Sequence, residues 1–123
     1  MKEGFSMAKV EIMSNGILIA TLRGELDNHK ANQIRSEISS SIFTGQVRAV
    51  IWDLEGLGFM DSAGIGLILG RMRDLAPIGG ETLILNPSAT MNKIFGFSGL
   101  GEHIRYCSIE EAVGEIGGVV HEK

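Results

Sequence analysis

One segment of this chain combines a strand pattern and a helix pattern on either side of a short polar motif. Residues 49–54 form a β-branched apolar run, which predicts a strand buried on both faces. Apolar residues then recur at helical spacing from Ile65 to Ala76, which predicts a helix. Between them, residues 60–66 read Met-Asp-Ser-Ala-Gly-Ile-Gly. A buried strand that leads into an amphipathic helix is typical of an α/β fold with parallel strands.

The rest of the chain continues this alternation of strands and helices. Asn15-Gly16 is a strong hairpin signal between two predicted strands at residues 8–14 and 17–23, and residues 24–28 then break the strand pattern. A helix is predicted at about 28–45, before the strand and helix described above. They are followed by a strand at 81–85, a helix that starts at Asn86-Pro87, a strand at 104–107 and a last helix to about 116. The complete predicted order is β-β-α-β-α-β-α-β-α.

This order predicts one small domain, because 123 residues leave room for a single hydrophobic core. We expect the domain at residues 8–116, with an N-terminal extension at 1–7 and a C-terminal tail at 117–123. Its sheet is expected to be mixed but mostly parallel, with four to five strands and an N-terminal hairpin. About four helices are expected to pack mainly on one face of the sheet.

Short polar residues mark three of the predicted helix starts. Asp27 or Asn28 is expected to cap the first helix, and Asp61 or Ser62 the second. Residues 108–111 have the spacing of a capping box, which satisfies two backbone N–H groups reciprocally. Ser62 therefore lies at the positive end of a helix dipole. A serine at such a position acts as a cap, a nucleophile or a phosphorylation site.

Composition argues against several classes of function. The net charge of -4 disfavours binding to nucleic-acid phosphates, which requires a basic face. No apolar run reaches 18 residues, so we expect no membrane-spanning helix. The single cysteine, Cys107, leaves no internal disulfide and favours the cytoplasm as the location. His29, His103 and His121 lack metal-ligand spacing, and we predict no metal site.

The residues around Ser62 do not match an enzyme motif. A serine-hydrolase elbow has glycine two residues before the serine, and Met60 stands there instead. Gly64, Gly66 and Gly70 have the wrong spacing for a dinucleotide-binding loop, and no Gly-Lys-Ser or Gly-Lys-Thr triplet is present. We therefore expect neither catalysis nor a bound cofactor. A small nucleotide-binding or hydrolytic domain is the alternative from another class.

A helical wheel divides the helix after Ser62 into two faces. The face expected to contact the sheet carries Ile65, Ile68, Leu69, Met72 and Ala76. The face expected to point outward carries Ala63, Leu67, Gly70 and Asp74, with Leu67 as its one apolar protrusion. Each glycine inside a helix costs about 1 kcal/mol relative to alanine, so Gly66 and Gly70 serve either packing within the chain or close approach by a partner. We favour close approach by a partner protein.

Three separated motifs of this chain have counterparts in one known family. The first is Asp61-Ser62-Ala63-Gly64-Ile65-Gly66, preceded by Phe59-Met60 and followed by Leu67-Ile68-Leu69-Gly70-Arg71. It resembles the phosphorylation-site segment of the bacterial anti-sigma factor antagonists, which are STAS-domain proteins. The second is Gly-Glu-Leu-Asp at residues 24–27, and the third is Phe-Ser-Gly-Leu at 97–100. The resemblance covers about residues 8–115, and the Leu-Ile-Leu-Gly-Arg extension is similar to the sporulation sigma-F branch.

The resemblance implies a STAS-like fold and a switch that is not an enzyme. The unphosphorylated protein would bind an anti-sigma factor that is also a serine kinase, which would free the sigma factor for transcription. The kinase would phosphorylate Ser62 and end the interaction, and a serine phosphatase would reset it. Phosphorylation adds about -1.5 to -2 charges, which the helix start tolerates, so it should change a binding surface without unfolding the domain.

The same resemblance gives the expected binding surface. It implies that Asp27 lies near Ser62 and helps to form the partner surface. Ala63 stands where the family often has a second serine, so Ser62 is the single expected acceptor in the motif. A regulatory STAS module in another signalling pathway is the alternative on the same scaffold. The expected partner-binding residues are Asp27, Asp61, Ala63, Gly64, Gly66, Leu67 and Gly70.

Overall fold

The computed structural model describes residues 7–117, which form six strands and four α-helices. The strands are β1 (Met7–Ile12), β2 (Ile17–Leu26), β3 (Ala49–Asp53), β4 (Leu57–Met60), β5 (Glu81–Leu85) and β6 (Ile104–Arg105). The helices are α1 (Asn28–Phe43), α2 (Ser62–Leu75), α3 (Ala89–Phe97) and α4 (Ile109–Gly117), with short 3₁₀ helices at Ala76–Ile78 and Gly101–His103. Within residues 7–117, no helix has the length and apolar character that crossing a bilayer requires.

Five of the strands form a continuous sheet in the order β1-β2-β3-β5-β6. β1 is antiparallel to β2, as the hairpin signal predicted, and the other neighbouring strands are parallel. β4 pairs in parallel with the end of β2, beyond a register shift after Gly24. Because the strands that precede α1 and α2 are parallel, both helices start at the same carboxyl-terminal edge of the sheet.

The helices cover the two faces of the sheet unequally. α1, α2 and α3 pack on one face over a large core that contains Trp52 and Phe95, both fully buried. α4 covers the other face, where Ala112 and Ile116 join a smaller core. The predicted class is therefore confirmed: a small α/β domain with a mixed, mostly parallel sheet, an N-terminal hairpin and helices mainly on one face.

The structure contains one strand more than the predicted order. β2 continues to Leu26 instead of ending at residue 23, and β4 pairs with this continuation. Neither segment shows a clear apolar alternation in sequence, since each contains a glycine: Gly24, which adopts a left-handed conformation, and Gly58, which lies within β4. The two short strands stabilise each other through pairing, which a pattern read along a single segment does not contain.

The predicted start of α3 at Asn86-Pro87 is wrong. The helix begins at Ala89, and Ser88 caps it, since its Oγ accepts a hydrogen bond from the first turn of the helix at 3.2 Å. Asn86 adopts a left-handed backbone with φ of 56°, and its Nδ2 donates to the Cys107 carbonyl oxygen at 2.8 Å. This contact holds the chain in a non-helical conformation and delays the helix.

The capping box at the start of α4 is confirmed. The Ser108 N–H donates to Glu111 Oε1 at 3.0 Å, and the Glu111 N–H donates to Ser108 Oγ at 3.1 Å. At the chain ends, β1 begins at Met7 and α4 ends at Gly117. The rest of the predicted extension and tail, residues 1–6 and 118–123, lies outside the described residues.

Candidate functional site

Two helices start side by side at the carboxyl-terminal edge of the sheet. Leu26, the last residue of β2, pairs with Met60, the last residue of β4. Asp27 and Asp61 follow directly, and each is the N-cap of the next helix. Each carboxylate accepts a hydrogen bond from a backbone N–H in the first turn of its helix, at 2.8 Å and 2.9 Å respectively. The strand pairing thus brings Asp27 to the same edge as the motif at residues 60–66.

Ser62 is the first residue of α2, and it is exposed. The capping role belongs to Asp61, so the hydroxyl of Ser62 is not required to satisfy the helix start. The dipole at this end of α2 favours a negative charge. A phosphate on Ser62 would therefore be compatible with the helix.

The predicted outward face of α2 is wrong at two positions. Leu67 is only 3% exposed and belongs to the core, whereas Leu69, predicted to face the sheet, is 37% exposed. Asp74 is held against α1, because its Oδ2 accepts a hydrogen bond from Ser39 Oγ at 2.9 Å. Because α2 packs against α1 as well as against the sheet, the buried face of α2 includes the side that contacts α1.

Helix α2 contains one glycine that is buried and two glycines that have open space where a side chain would be. Gly64 is buried, and a Cβ at this position would lie 2.6 Å from the Met60 sulfur. A Cβ at Gly66 or Gly70 would meet nothing within 4 Å. Gly64 therefore serves packing within the chain, whereas packing gives no reason for glycine at the other two positions. At these two positions the surface of α2 has no side chain.

Replacing Gly64 with alanine is expected to lower the free energy of unfolding by about 1–3 kcal/mol, because the new methyl group overpacks against Met60. The matched variant Gly66→Ala should raise it by up to about 1 kcal/mol, since an open helical position gains helix propensity. Urea unfolding followed by circular dichroism measures both values. Equal effects in the two variants would contradict the internal role of Gly64.

An apolar groove of about 570 Å³ lies beside Ser62, between α2 and α3. Its walls are formed by Phe59, Met60, Asp61, Ser62, Ile65, Gly66, Leu69, Ile94 and Ser98, and it is called the α2–α3 groove below. Phe59 is 47% exposed and Leu69 is 37% exposed. Phe97, adjacent in sequence to Ser98, is 92% exposed. Exposed apolar surface concentrated around a groove marks an interaction site.

Sequence reasoning did not find this groove. Helical periodicity predicts Leu69 on the sheet-facing side of α2, whereas it is exposed in the groove wall, and Ile94 of α3 is only partly buried. The available signal was that Phe59 and Ser98 lie in or beside two of the motifs that resemble the family. The fold brings these two motifs to opposite walls of one groove.

The other reactive side chains lie elsewhere. Burial raises the pKa of the Cys107 thiol, and the negative charges of Glu111 and Glu115 raise it further, so the thiol stays protonated at neutral pH. His103 Nδ1 lies 3.1 Å from the Thr82 carbonyl oxygen, near the amino-terminal end of β5. Among residues 7–117, no three His, Cys, Asp or Glu side chains are grouped so that they could hold a metal ion.

Residues 10–116 match the STAS domain family, and the chain therefore belongs to that family. Within it, the chain is 48% identical over 113 residues to the anti-sigma F factor antagonist of Lysinibacillus sphaericus, covering 92% of this chain and 97% of that relative. The unphosphorylated form of the anti-sigma factor antagonist SpoIIAA has 45% identity and a TM-score of 0.88, covering 94% of this chain and 100% of the other. The phosphorylated form of the Bacillus cell fate determinant SpoIIAA has 46% identity and a TM-score of 0.82, and the match covers 89% of this chain and 99% of the other.

These similarities confirm the resemblance to STAS-domain anti-sigma factor antagonists, including the sigma-F branch. The similarity is not confined to the motif, since it extends over nearly the whole chain and the whole of the solved relative. SpoIIAA itself has been solved in phosphorylated and unphosphorylated forms.

Proposed function

We propose that this protein is an anti-sigma factor antagonist that switches partners through phosphorylation of Ser62. The unphosphorylated form binds an anti-sigma factor, which then releases its sigma factor. The anti-sigma factor is also a serine kinase: it transfers the terminal phosphoryl group of ATP to Ser62 Oγ, leaves ADP, and thereby ends the interaction. A serine phosphatase hydrolyses the phosphoserine and restores binding.

The position of Ser62 carries this proposal. The residue is exposed, begins α2, and forms part of the wall of the α2–α3 groove. A phosphate there stays near the positive end of the helix, so the domain keeps its fold. The same phosphate places about -1.5 to -2 charges on an apolar groove. Asp61 beside it, and Asp27 at the neighbouring helix start, add negative charge that a partner would also have to accommodate.

We propose that the partner covers the α2–α3 groove and the start of α2. Two of the proposed contact residues, Asp61 and Gly66, belong to the groove walls. The proposed surface also includes Asp27, Ala63 and Gly70, which lie outside these walls and are at least partly accessible. Gly64 and Leu67 are buried, so their proposed contribution is indirect. Gly64 lets α2 approach Met60 closely, and Leu67 fixes α2 against the core.

The proposed function needs neither a catalytic residue nor a cofactor in this chain. The STAS domain at residues 8–116 would act in the cytoplasm, where its kinase finds ATP. The net charge of -4 favours protein partners over nucleic acid, and direct contact with DNA or with a membrane has no part in the proposal.

Incubation with the cognate anti-sigma kinase and ATP is expected to raise the intact mass of the protein by one phosphate. Ser62→Ala should abolish this increase, because Ala63 leaves no second hydroxyl in the motif. Ser36→Ala removes an exposed hydroxyl from α1, outside the α2–α3 groove, and serves as the matched control, which should be phosphorylated like the wild type. Intact-mass spectrometry followed by peptide mapping gives the readout.

Two outcomes would contradict this assignment. Phosphate located at Ser39, Ser40 or Ser41 would place the modification on α1 instead of α2. ATP turnover by the protein without its partner, lost in Ser62→Ala, would favour a hydrolytic function over a switch.

A further inference from the structure

A second cavity, of about 470 Å³, lies between α1 and α2, and its lining is polar. Arg35, Ser36, Ser39 and Ser40 line it from α1, and Arg71 lines it from α2. None of these residues lines the α2–α3 groove. Arg71 is nine positions after Ser62, which corresponds to about 13 Å along the helix axis. The cavity is therefore separate from the proposed phosphorylation site.

Arg71 is the unusual residue in this cavity. It is only 8% exposed, although arginine is rarely buried unless its hydrogen bonds are satisfied. Its Nε donates to Asp74 Oδ2 at 2.9 Å, and Ser39 Oγ donates to the same oxygen at 2.9 Å. Its Nη1 is buried and has no hydrogen-bond partner among the described residues. Asp74 thus orients the guanidinium group and leaves part of its donor capacity unused.

We propose that this cavity binds a small tetrahedral oxyanion such as inorganic phosphate. Guanidinium groups present N–H donors in a planar fork that matches the oxygens of such anions. Asp74 offsets the charge of Arg71, so Arg35 provides the net positive charge. The hydroxyls of Ser36 and Ser40 provide further donors, whereas the Ser39 hydroxyl already donates to Asp74. The two arginines disfavour a cation.

The bound anion would connect the two helices. Arg35 and the three serines belong to α1, whereas Arg71 belongs to α2, so a single anion would contact both elements. A ligand that binds only the folded state stabilises it by an amount that grows with the logarithm of the ligand concentration once this exceeds the dissociation constant. The oxyanion would therefore stabilise the packing of α2, the helix that begins at Ser62, without contacting that residue.

The test is a titration of the ¹⁵N-labelled full-length protein with sodium phosphate, compared with sodium chloride at matched ionic strength. Saturable shifts are expected at the backbone amides of residues 35–40 and at the Arg71 side-chain Nε–H, with phosphate only. Arg35→Gln changes an exposed residue and should weaken phosphate binding about tenfold or more, as expected for the loss of a charge-assisted hydrogen bond. Arg71→Lys keeps the charge but removes the fork, and should weaken binding similarly.

Arg73→Gln is the matched control, because it removes an exposed arginine from the same helix outside the cavity, and it should leave phosphate affinity unchanged. If Arg71→Lys does not fold, Arg35→Gln decides the result. Shifts that do not saturate, that appear equally with chloride, or that are equal in Arg35→Gln and the wild type would overturn the proposal. Ser62→Ala should bind phosphate normally, so this test and that of the phosphorylation switch can fail independently.

Discussion

Replacing Ser62 with aspartate is expected to weaken binding of the anti-sigma factor roughly thirtyfold or more, which corresponds to about 2 kcal/mol or more. The variant places a permanent negative charge on the wall of the α2–α3 groove. A partner that closes this groove would remove water from the charge without providing a counter-ion, and Asp61 beside it adds repulsion toward any acidic partner group. Isothermal titration calorimetry with the purified anti-sigma factor measures the effect.

The same substitution should change the free energy of unfolding by less than about 0.5 kcal/mol, because residue 62 is exposed and lies in the first turn of α2, where aspartate is favoured. Ser108→Asp is the matched control. It adds the same charge at the start of α4, on the other face of the sheet, and aspartate keeps the capping function there. Wild-type affinity in Ser62→Asp would exclude a charge-driven switch at this position, and equal losses in both variants would show a nonspecific charge effect.

Replacing Leu69 with glutamate is expected to weaken binding of the same partner about tenfold or more. Leu69 is 37% exposed and forms part of the α2–α3 groove, so a partner that fills the groove would bury its side chain. The substitution removes this apolar contact and places a charge in a desolvated interface, where central apolar residues contribute most of the binding energy. The affinity is measured by calorimetry under the same conditions as for Ser62→Asp.

Ile78→Glu is the control for the change from an apolar to a charged residue. Ile78 is 57% exposed, lies in the 3₁₀ helix after α2, and is outside the groove. Its replacement should leave the affinity within about twofold of the wild type, because surface substitutions away from an interface have small effects. If Leu69→Glu binds like the wild type, the partner does not use the groove. Equal losses in both variants would show that the added charge acts nonspecifically and not through the groove.

Local chemistry predicted most of the helix starts. Asp61 and Asp27 cap their helices through a carboxylate that bonds to a backbone N–H within three residues, so a few consecutive residues predict where each helix starts. The sequence left Asn28 and Ser62 open as alternative caps, and the structure decided for the two aspartates. The capping box at residues 108–111 is equally local. The start of α3 was predicted wrongly because Asn86 bonds to Cys107, 21 residues further along the chain. A local pattern contains no information about that contact.

The strand β4 was missed for a related reason. It has four residues, one of them glycine, and its buried and exposed positions do not alternate. It is stabilised by pairing with the end of β2, and this pairing is also what brings Asp27 to the edge occupied by Asp61. The resemblance to a family implied that Asp27 lies near Ser62, whereas residue spacing alone did not.

By itself, the sequence determined an α/β domain, a hairpin, the order of most elements and a serine at an exposed helix start. These features follow from periodicity and capping, which act over a few residues. Only the tertiary structure decided that Leu67 is buried and Leu69 is exposed, and that α2 and α3 enclose a groove beside Ser62. Two leucines two positions apart have the same hydrophobicity, and their burial depends on which neighbouring elements pack against each side of the helix.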